Sequence, residues 1–347
     1  MKYFIYILGL VAIVITALPI IDTGTWWIRI FDFPRVQISI FSLFALLLSL
    51  FFLKDKPHIK LPFIVLLTAA LSYQLFMIAP FTPLLPVSAK NAAPGENENQ
   101  FTLLMSNVRM ENTDRDMLLS LINQKDPDLI LLTEPDLLWT QSLIPLDEKY
   151  PHSIKEPLPN TYGMILLSKF PLLNAKVNYL VEMDIPSFHT QVQLPSGAKF
   201  DFYGVHPEPP KPGSDTYERD TELLLIGKKI KEDPKPVIVA GDLNDVGWSQ
   251  TSKLFREYSQ LLDPREGRGF YNTYSVFFPL FRYPLDHVFY TNDFGLISFD
   301  KLEEVGSDHF PMWIELTFEP DASDPEEVEN TDAEENAEVE EKIEEGN

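Results

Sequence analysis

The residues with the most to offer chemically stand where apolar runs end. Asn107 closes FTLLMSN and Glu134 closes DLILLTE; His206 follows FDFYGV, and Asp242 with Asn244 follow VIVAG. Asp286 sits in LDHVF, while Asp308 and His309 precede the run MWIELTF. Taken singly, each has a plain explanation: Glu134 before Pro135 can begin a turn, and GDLND can be an Asx turn. Together they form one matched set, with hard oxygen donors for a magnesium-type cation, two histidines, and carboxylates able to orient them. The chain has no cysteine, which excludes disulfides, thiol nucleophiles and sulfur-ligated zinc or iron–sulfur centres. With few histidines besides, Mg2+ or Mn2+ is favoured over zinc.

Such residues act together only if a rigid frame delivers them to one place, and in layered sheet proteins strand ends are where ligand sites gather. The hydrophobic pattern predicts strands over 101–109, 128–134, 163–168, 190–194, 199–206, 236–241, 285–290, 296–304 and 312–318. Helices are expected near 114–124 and 250–258, with a long amphipathic one after Ser214. Strands dominate and helices separate some of them, so 101–318 reads as one α/β or α+β layered domain.

The flanks differ in character. Residues 1–79 hold three apolar runs, at 3–21, 36–53 and 61–79, the last interrupted only by Gln74. Each is close to the length needed to cross about 30 Å of hydrocarbon, and each is apolar all round, unlike the striped helices of a soluble core. No small-residue cleavage site separates the first run from Trp26 and Trp27, which read as interfacial anchors, so it is expected to be retained. Lys2 shares a side with Lys54, Lys56 and Lys60, whereas Arg29 and Arg35 are offset by Asp22 and Asp32. The positive-inside rule then places the amino terminus in the cytoplasm and everything after Ala79 outside, or in the periplasm. Residues 80–100, rich in Pro, Asn and Ala, read as a linker. Residues 319–347 carry 14 acidic residues, one lysine and no aromatic residue, and by composition read as a disordered acidic tail.

Charge bears on partners. With 28 Lys+Arg against 51 Asp+Glu, the formal charge is −23, and acidic residues outnumber basic ones within 101–318 as well. A generic grip on a nucleic-acid backbone needs the opposite sign, so stable nucleic-acid binding is not expected, although nuclease activity through a few local cations is not excluded. Oligomeric state leaves no mark in the sequence.

Seven stretches in order, SNVR (106–109), LLTEPD (131–136), YGMILLSKFP (162–171), VHPEPP (205–210), VIVAGDLND (237–245), LDHVF (285–289) and GSDHFP (306–311), together resemble the endonuclease/exonuclease/phosphatase superfamily. Its members include DNase I-like nucleases, sphingomyelinases and inositol polyphosphate phosphatases. The resemblance covers nearly all of 101–318 and implies an α+β fold, a four-layered α/β/β/α sandwich, here behind three transmembrane helices. It implies Glu134 as principal metal ligand, with Asn107 and Asp308 nearby. Asp242 would orient or deprotonate the attacking water, Asn244 would hold the phosphate, and His206 would be a second phosphate donor. His309 would serve the phosphoryl or leaving-group oxygen, with Asp286 fixing its tautomer; whether Asp242 or His309 is the base stays open. Arg109 follows the Asn-x-Arg pattern of some members and could contact phosphate, or equally pair with Glu111 on the surface. Alternation along the strand sends His287 away from Asp286. Tyr162, Trp248 and Phe310 are expected chiefly to pack.

Two functions of different class follow. One is a membrane-anchored, metal-dependent phosphoesterase cleaving a phosphodiester or phosphomonoester by in-line attack of water, with nuclease and lipid, inositol or sugar substrates all open. The other is a non-catalytic binding or scaffold module on the same fold, since a fold alone does not guarantee chemistry.

Overall fold

The computed structural model describes residues 1–95, 98–320 and 331–346. It opens with α1 (Lys2–Ala17), the one-turn α2 (Trp26–Arg29), α3 (Arg35–Phe52) and α4 (Pro57–Ile78). With their adjoining 3-10 turns, Lys2–Ile20, Arg35–Phe52 and Pro57–Phe81 are long and apolar enough to cross a membrane. The third begins four residues before the charge-free run because Pro57, lacking an N–H to satisfy, suits a first helical turn. Ala12, Ala45 and Leu67 meet at the centre of the bundle, where small side chains let the helices approach.

The domain that follows contains β1 (Gln100–Asn107), β2 (Leu129–Thr133), β3 (His152–Glu156), β4 (Met164–Ser168), β5 (Leu172–Asn178) and β6 (Ser187–Gln193). It continues with β7 (Lys199–Val205), β8 (Val237–Asp242), β9 (Asp286–Tyr290), β10 (Phe294–Lys301) and β11 (Met312–Phe318). One sheet runs β10-β11-β1-β2-β4-β3 and the other β5-β6-β7-β8-β9. Alternation builds the layers. In β1, Leu103 and Met105 face the second sheet and meet Phe202, Ile238 and Val288, while Leu104 faces outward. On that outer side α5 (Arg115–Lys125) and α6 (Leu137–Ser142) bring Leu118, Ile122 and Trp139. Against the second sheet α7 (Tyr217–Glu232) and α8 (Gln250–Ser259) bring Leu223, Ile226 and Phe255. The result is the four-layered α/β/β/α sandwich.

Register decides which polar residues meet. Parallel pairing of β1 with β2 sets Asn107 opposite Thr133, one residue before Glu134. Antiparallel pairing of β8 with β9 sets Asp242 opposite Asp286. The sequence pattern omits β3 and β5, which are edge strands with half-exposed polar residues, and the short α6.

Two flanking readings are corrected by packing. Part of the 80–100 segment is built into the domain: Ala89 is buried between the sheets, and Lys90 and Ala92 bond Leu296 of β10. Within 319–347, residues 321–330 and 347 lie outside the described residues, yet α9 (Ala333–Glu345) is an ordered helix against α7 and α8 rather than disordered tail. Asp332 and Glu335 form its capping box, and Val339 and Ile343, four residues apart, bury one stripe on the α7/α8 layer. Lys228 reaches Glu340 at 2.7 Å, Lys231 reaches Asn336 at 2.6 Å, and Lys342 pairs with Asp22 at 2.6 Å. Acidic composition masked a two-residue apolar stripe facing a lysine-bearing helix.

Replacing Val339 and Ile343 together with alanine should cost about 2–4 kcal/mol and lower the thermal midpoint of the detergent-solubilised chain. An unchanged midpoint would show that α9 adds nothing to the fold.

Candidate active site

The two sheets end in a shared pocket of about 480 Å³ lined by Glu134, His206, Asp242, Asn244, Asp308 and His309, among others. Glu134, Asp308 and His309 come from the ends and loops of the first sheet, and His206, Asp242 and Asn244 from the second. Asn107 and Asp286 stand directly behind this lining. Asn107 Nδ2 donates to Glu134 Oε1 at 2.8 Å and to Asp242 Oδ2 at 3.0 Å, bridging the sheets. Its oxygen accepts from the Arg109 N–H at 2.9 Å, so as placed Asn107 positions the carboxylates.

Local backbone geometry aims these groups. Glu134 has φ +65°, a left-handed conformation uncommon for a residue with a side chain, which turns it off the end of β2 and into the pocket. Its N–H donates to Gly163 O at 2.9 Å, and a Cβ at Gly163 would collide with Pro135 O, so only glycine allows this approach. Asp242 Oδ1 accepts from the Asn244 N–H at 3.0 Å. That is the Asx turn read from GDLND, and here it serves the site by fixing Asp242 while Asn244 Nδ2 ties to Pro207 O at 2.9 Å.

A histidine lies between two buried acids. His309 Nδ1 meets Asp286 Oδ2 at 2.8 Å and its Nε2 faces Asp242 Oδ2 at 3.5 Å. Burial opposes a charge on this ring, but Asp286, then Asp242, outweigh it and raise its pKa to about 10. Asp242 is itself raised by burial, against the pull of His309. His206 Nε2 stands 4.0 Å from Asp242 Oδ2; burial pushes its pKa down to about 4, and its buried Nδ1 has no partner among the described residues. Glu134 is pushed up to about 7 by burial, despite the Asn107 hydrogen bond, with Asp242 and Asp308 adding to the rise.

That uncompensated negative charge is what a divalent cation would relieve. Oxygen donors of Glu134 and Asp308 facing an open pocket suit a hard ion. Asp242, Asp286 and His309 also offer ligand atoms within 4.8 Å of one another. There, however, His309 Nδ1 already faces Asp286 at 2.8 Å, and a protonated ring would itself answer the charge of both acids. Glu134 and Asp308 are therefore the residues that could hold a metal.

Arg109 does not line the cavity: its Nε lies 3.7 Å from Glu111 and its guanidinium 5.5 Å from the Phe277 ring centroid, at the rim. His287 points to the opposite face as expected, bonding Arg265 Nη2 at 2.6 Å. Tyr162 is buried as a packing residue would be, yet it also lines the pocket, 5.6 Å ring to ring from His206. Trp248 packs on Phe81 and Phe270 and donates to Asp32 O at 2.8 Å. Sequence reasoning missed Lys211, Tyr274 and Tyr283, and a wall formed by Ile30, Phe31, Phe33, Pro34 and Phe281. Lys211 had a local cue in the PEPPKPG loop after His206; the wall had none, because its two parts lie far apart in the chain.

Replacing Gly163 with alanine should displace Glu134 and weaken Mn2+ binding, measured by titration calorimetry, by about tenfold or more, in keeping with the sensitivity of metal sites to residues behind the ligands. Unaltered binding would detach Gly163 from the geometry of Glu134.

Solved structures share this fold. D. rerio TDP2 complexed with single strand DNA product is 18% identical, with TM-score 0.51, covering 63% of this chain and 99% of that one. The human Nocturnin catalytic domain with bound sulfate anion is 18% identical, with TM-score 0.53, covering 65% and 96%. The endonuclease/exonuclease/phosphatase from Beutenbergia cavernae is 16% identical, with TM-score 0.52, covering 64% and 72%. At such identities the likeness is one of fold. No curated protein sequence matches. A sequence model of the Endonuclease/Exonuclease/phosphatase family matches residues 106–309, more than half of the chain and every one of the polar residues brought together here, and the chain belongs to that family.

Proposed function

We propose that the protein is a membrane-anchored, divalent-metal-dependent phosphoesterase that hydrolyses a phosphodiester or phosphomonoester by in-line attack of water. The observation that carries this reading is the convergence of Glu134, His206, Asp242, Asn244, Asp308 and His309 from both sheets on one pocket. A Mg2+ or Mn2+ ion held by Glu134 and Asp308 would polarise a phosphoryl oxygen and offset its charge.

The chain's own groups divide the proton work. The water oxygen attacks phosphorus while its proton passes to Asp242, whose other oxygen is fixed by the Asn244 N–H. The bond from phosphorus to the leaving oxygen breaks, and that oxygen takes a proton from His309 Nε2. Asp286, 2.8 Å from Nδ1, holds the ring and supports its charge. The 3.5 Å gap between Asp242 and His309 Nε2 returns the proton and resets the pair. Asn244 and His206 would contact the remaining phosphoryl oxygens.

Turnover of bis(4-nitrophenyl) phosphate and 4-nitrophenyl phosphate with Mg2+ or Mn2+ tests this. Asp242→Asn and His309→Ala should each lower kcat by about 10²–10⁴, and Asp286→Asn by about 10². A chelator should abolish the activity. Correctly folded protein with no turnover of either ester in either metal would favour the binding-module reading.

The membrane placement belongs to the same proposal: amino terminus cytoplasmic, catalytic domain external or periplasmic. In support, the segment between α1 and α3 docks on the domain that follows α4, with Trp26 N–H to Asp215 Oδ1 at 2.9 Å and Arg29 Nη1 to Gln250 Oε1 at 2.9 Å. Two crossings, α3 and α4, lie between these segments, an even number that sets them on one side, while the direction itself rests on Lys2, Lys54, Lys56 and Lys60. A carboxy-terminal alkaline phosphatase fusion should be active and a green fluorescent protein fusion dark after export; the reverse pattern would overturn the orientation.

A further inference from the structure

The pocket has a wall that phosphoester chemistry does not need. Ile30, Phe31, Phe33 and Pro34, the residues leading into α3, form one part of it, and Phe281, Tyr283 and Leu285 form another. Phe33 and Tyr283 meet edge to face, with ring centroids 5.7 Å apart. Phe281 belongs to the loop FFPLF (277–281), whose other residues lie outside the pocket lining. Its Phe277, Phe278, Leu280 and Phe281 are 53%, 65%, 79% and 55% exposed, an apolar patch of a kind that marks an interaction site.

The position of that loop identifies what covers it. Gln37 Nε2, in the first turn of α3, donates to Leu280 O at 2.8 Å. The charge-free part of α3 begins at Val36, and each helical residue rises about 1.5 Å, so the loop sits level with the start of the apolar span. On the proposed membrane placement, exposed aromatic and aliphatic side chains at that level would be covered by lipid. The same apolar surface is thus continuous from the bilayer side of the loop, past Phe281, to the residues around Asp242 and His309.

The cation supply points the same way. Among the described Lys and Arg residues, Lys211 alone lines the pocket, and it pairs with Glu208 at 2.8 Å. A groove that follows a nucleic-acid backbone needs a row of such cations.

We propose that the substrate is a membrane-embedded amphiphile, a lipid phosphate ester whose phosphate enters the pocket while its hydrocarbon chain stays against Phe31, Phe33 and the 277–281 loop, entering from the leaflet on which the domain rests. This rests on the phosphoesterase reading above and names its substrate class.

The test compares two chromogenic diesters with the same scissile bond, each releasing 4-nitrophenolate to water: hexadecyl 4-nitrophenyl phosphate in phosphatidylcholine vesicles and ethyl 4-nitrophenyl phosphate in solution. Full-length protein reconstituted in those vesicles with Mn2+ should show kcat/KM for the long-chain ester at least about tenfold higher, since burial of only two methylenes yields that factor. Simple partitioning also favours a long chain, so the loop decides the matter. Phe278→Asp with Leu280→Asp should bring the ratio of the two activities close to parity, whereas Phe278→Leu with Leu280→Phe should preserve it. Parity in the unaltered protein, an unchanged ratio in the aspartate variant, or faster cleavage of a single-stranded DNA oligonucleotide than of the long-chain ester would overturn the lipid proposal and leave the phosphoesterase reading standing. No turnover of any of the three substrates would instead sink that reading itself.

Discussion

Asp242 is 1% exposed, and an ionised carboxylate removed from water to that degree costs several kcal/mol unless its charge is answered. The answer comes from the other sheet: the Asn107 amide from the end of β1, and the His309 ring from the loop before β11. Asp286 answers His309 in turn, from the strand paired with the one that ends in Asp242. Each group is tolerable inside the protein only while the others are in place. The requirement to satisfy this set locks the tops of the two sheets in register, and the same lock gives the pocket its chemistry.

The hydrophobic layers make that lock affordable. Leu103, Met105, Leu131, Ile238 and Val288 hold the sheets face to face below it, and helices seal both outer faces. Strand ends project from this packed body with little freedom, which is why the site sits there rather than on a free loop. Within this region Glu134 and Asn244 both take positive φ.

The cluster was legible in the sequence because each polar residue stands at or beside the end of an apolar run and keeps a fixed place among its neighbours. Asn107, Glu134, His206, Asp242, Asn244, Asp286, Asp308 and His309 could therefore be named together, and alternation separated Asp286 from His287. What escaped is of another physical kind. β3 and β5 lie at sheet edges, where one side is solvated and the apolar pattern fades. The helix α9 hides Val339 and Ile343 among acids, and a reading by composition averages them away. The pocket wall joins Phe31 and Phe33 to Phe281, a contact across the whole fold that no window of sequence contains. For Arg109 the resemblance left phosphate contact and a surface pair with Glu111 equally open, and its Nε lies 3.7 Å from Glu111.

The attachment of the amino-terminal helices has a consequence of its own. Phe33, Ile78 and Phe81 share an apolar cluster with Trp248 and Leu285, and Arg29, Asp32 and Arg35 form a buried ionic set beneath it. Such a joint is a mount rather than a leash. On the proposed membrane placement, the pocket keeps one fixed tilt and height above the lipid, and encounters with a lipid-borne reactant become collisions in a plane. The quantity that governs its rate is then molecules per unit area of leaflet, and dilution of the surrounding water leaves it untouched.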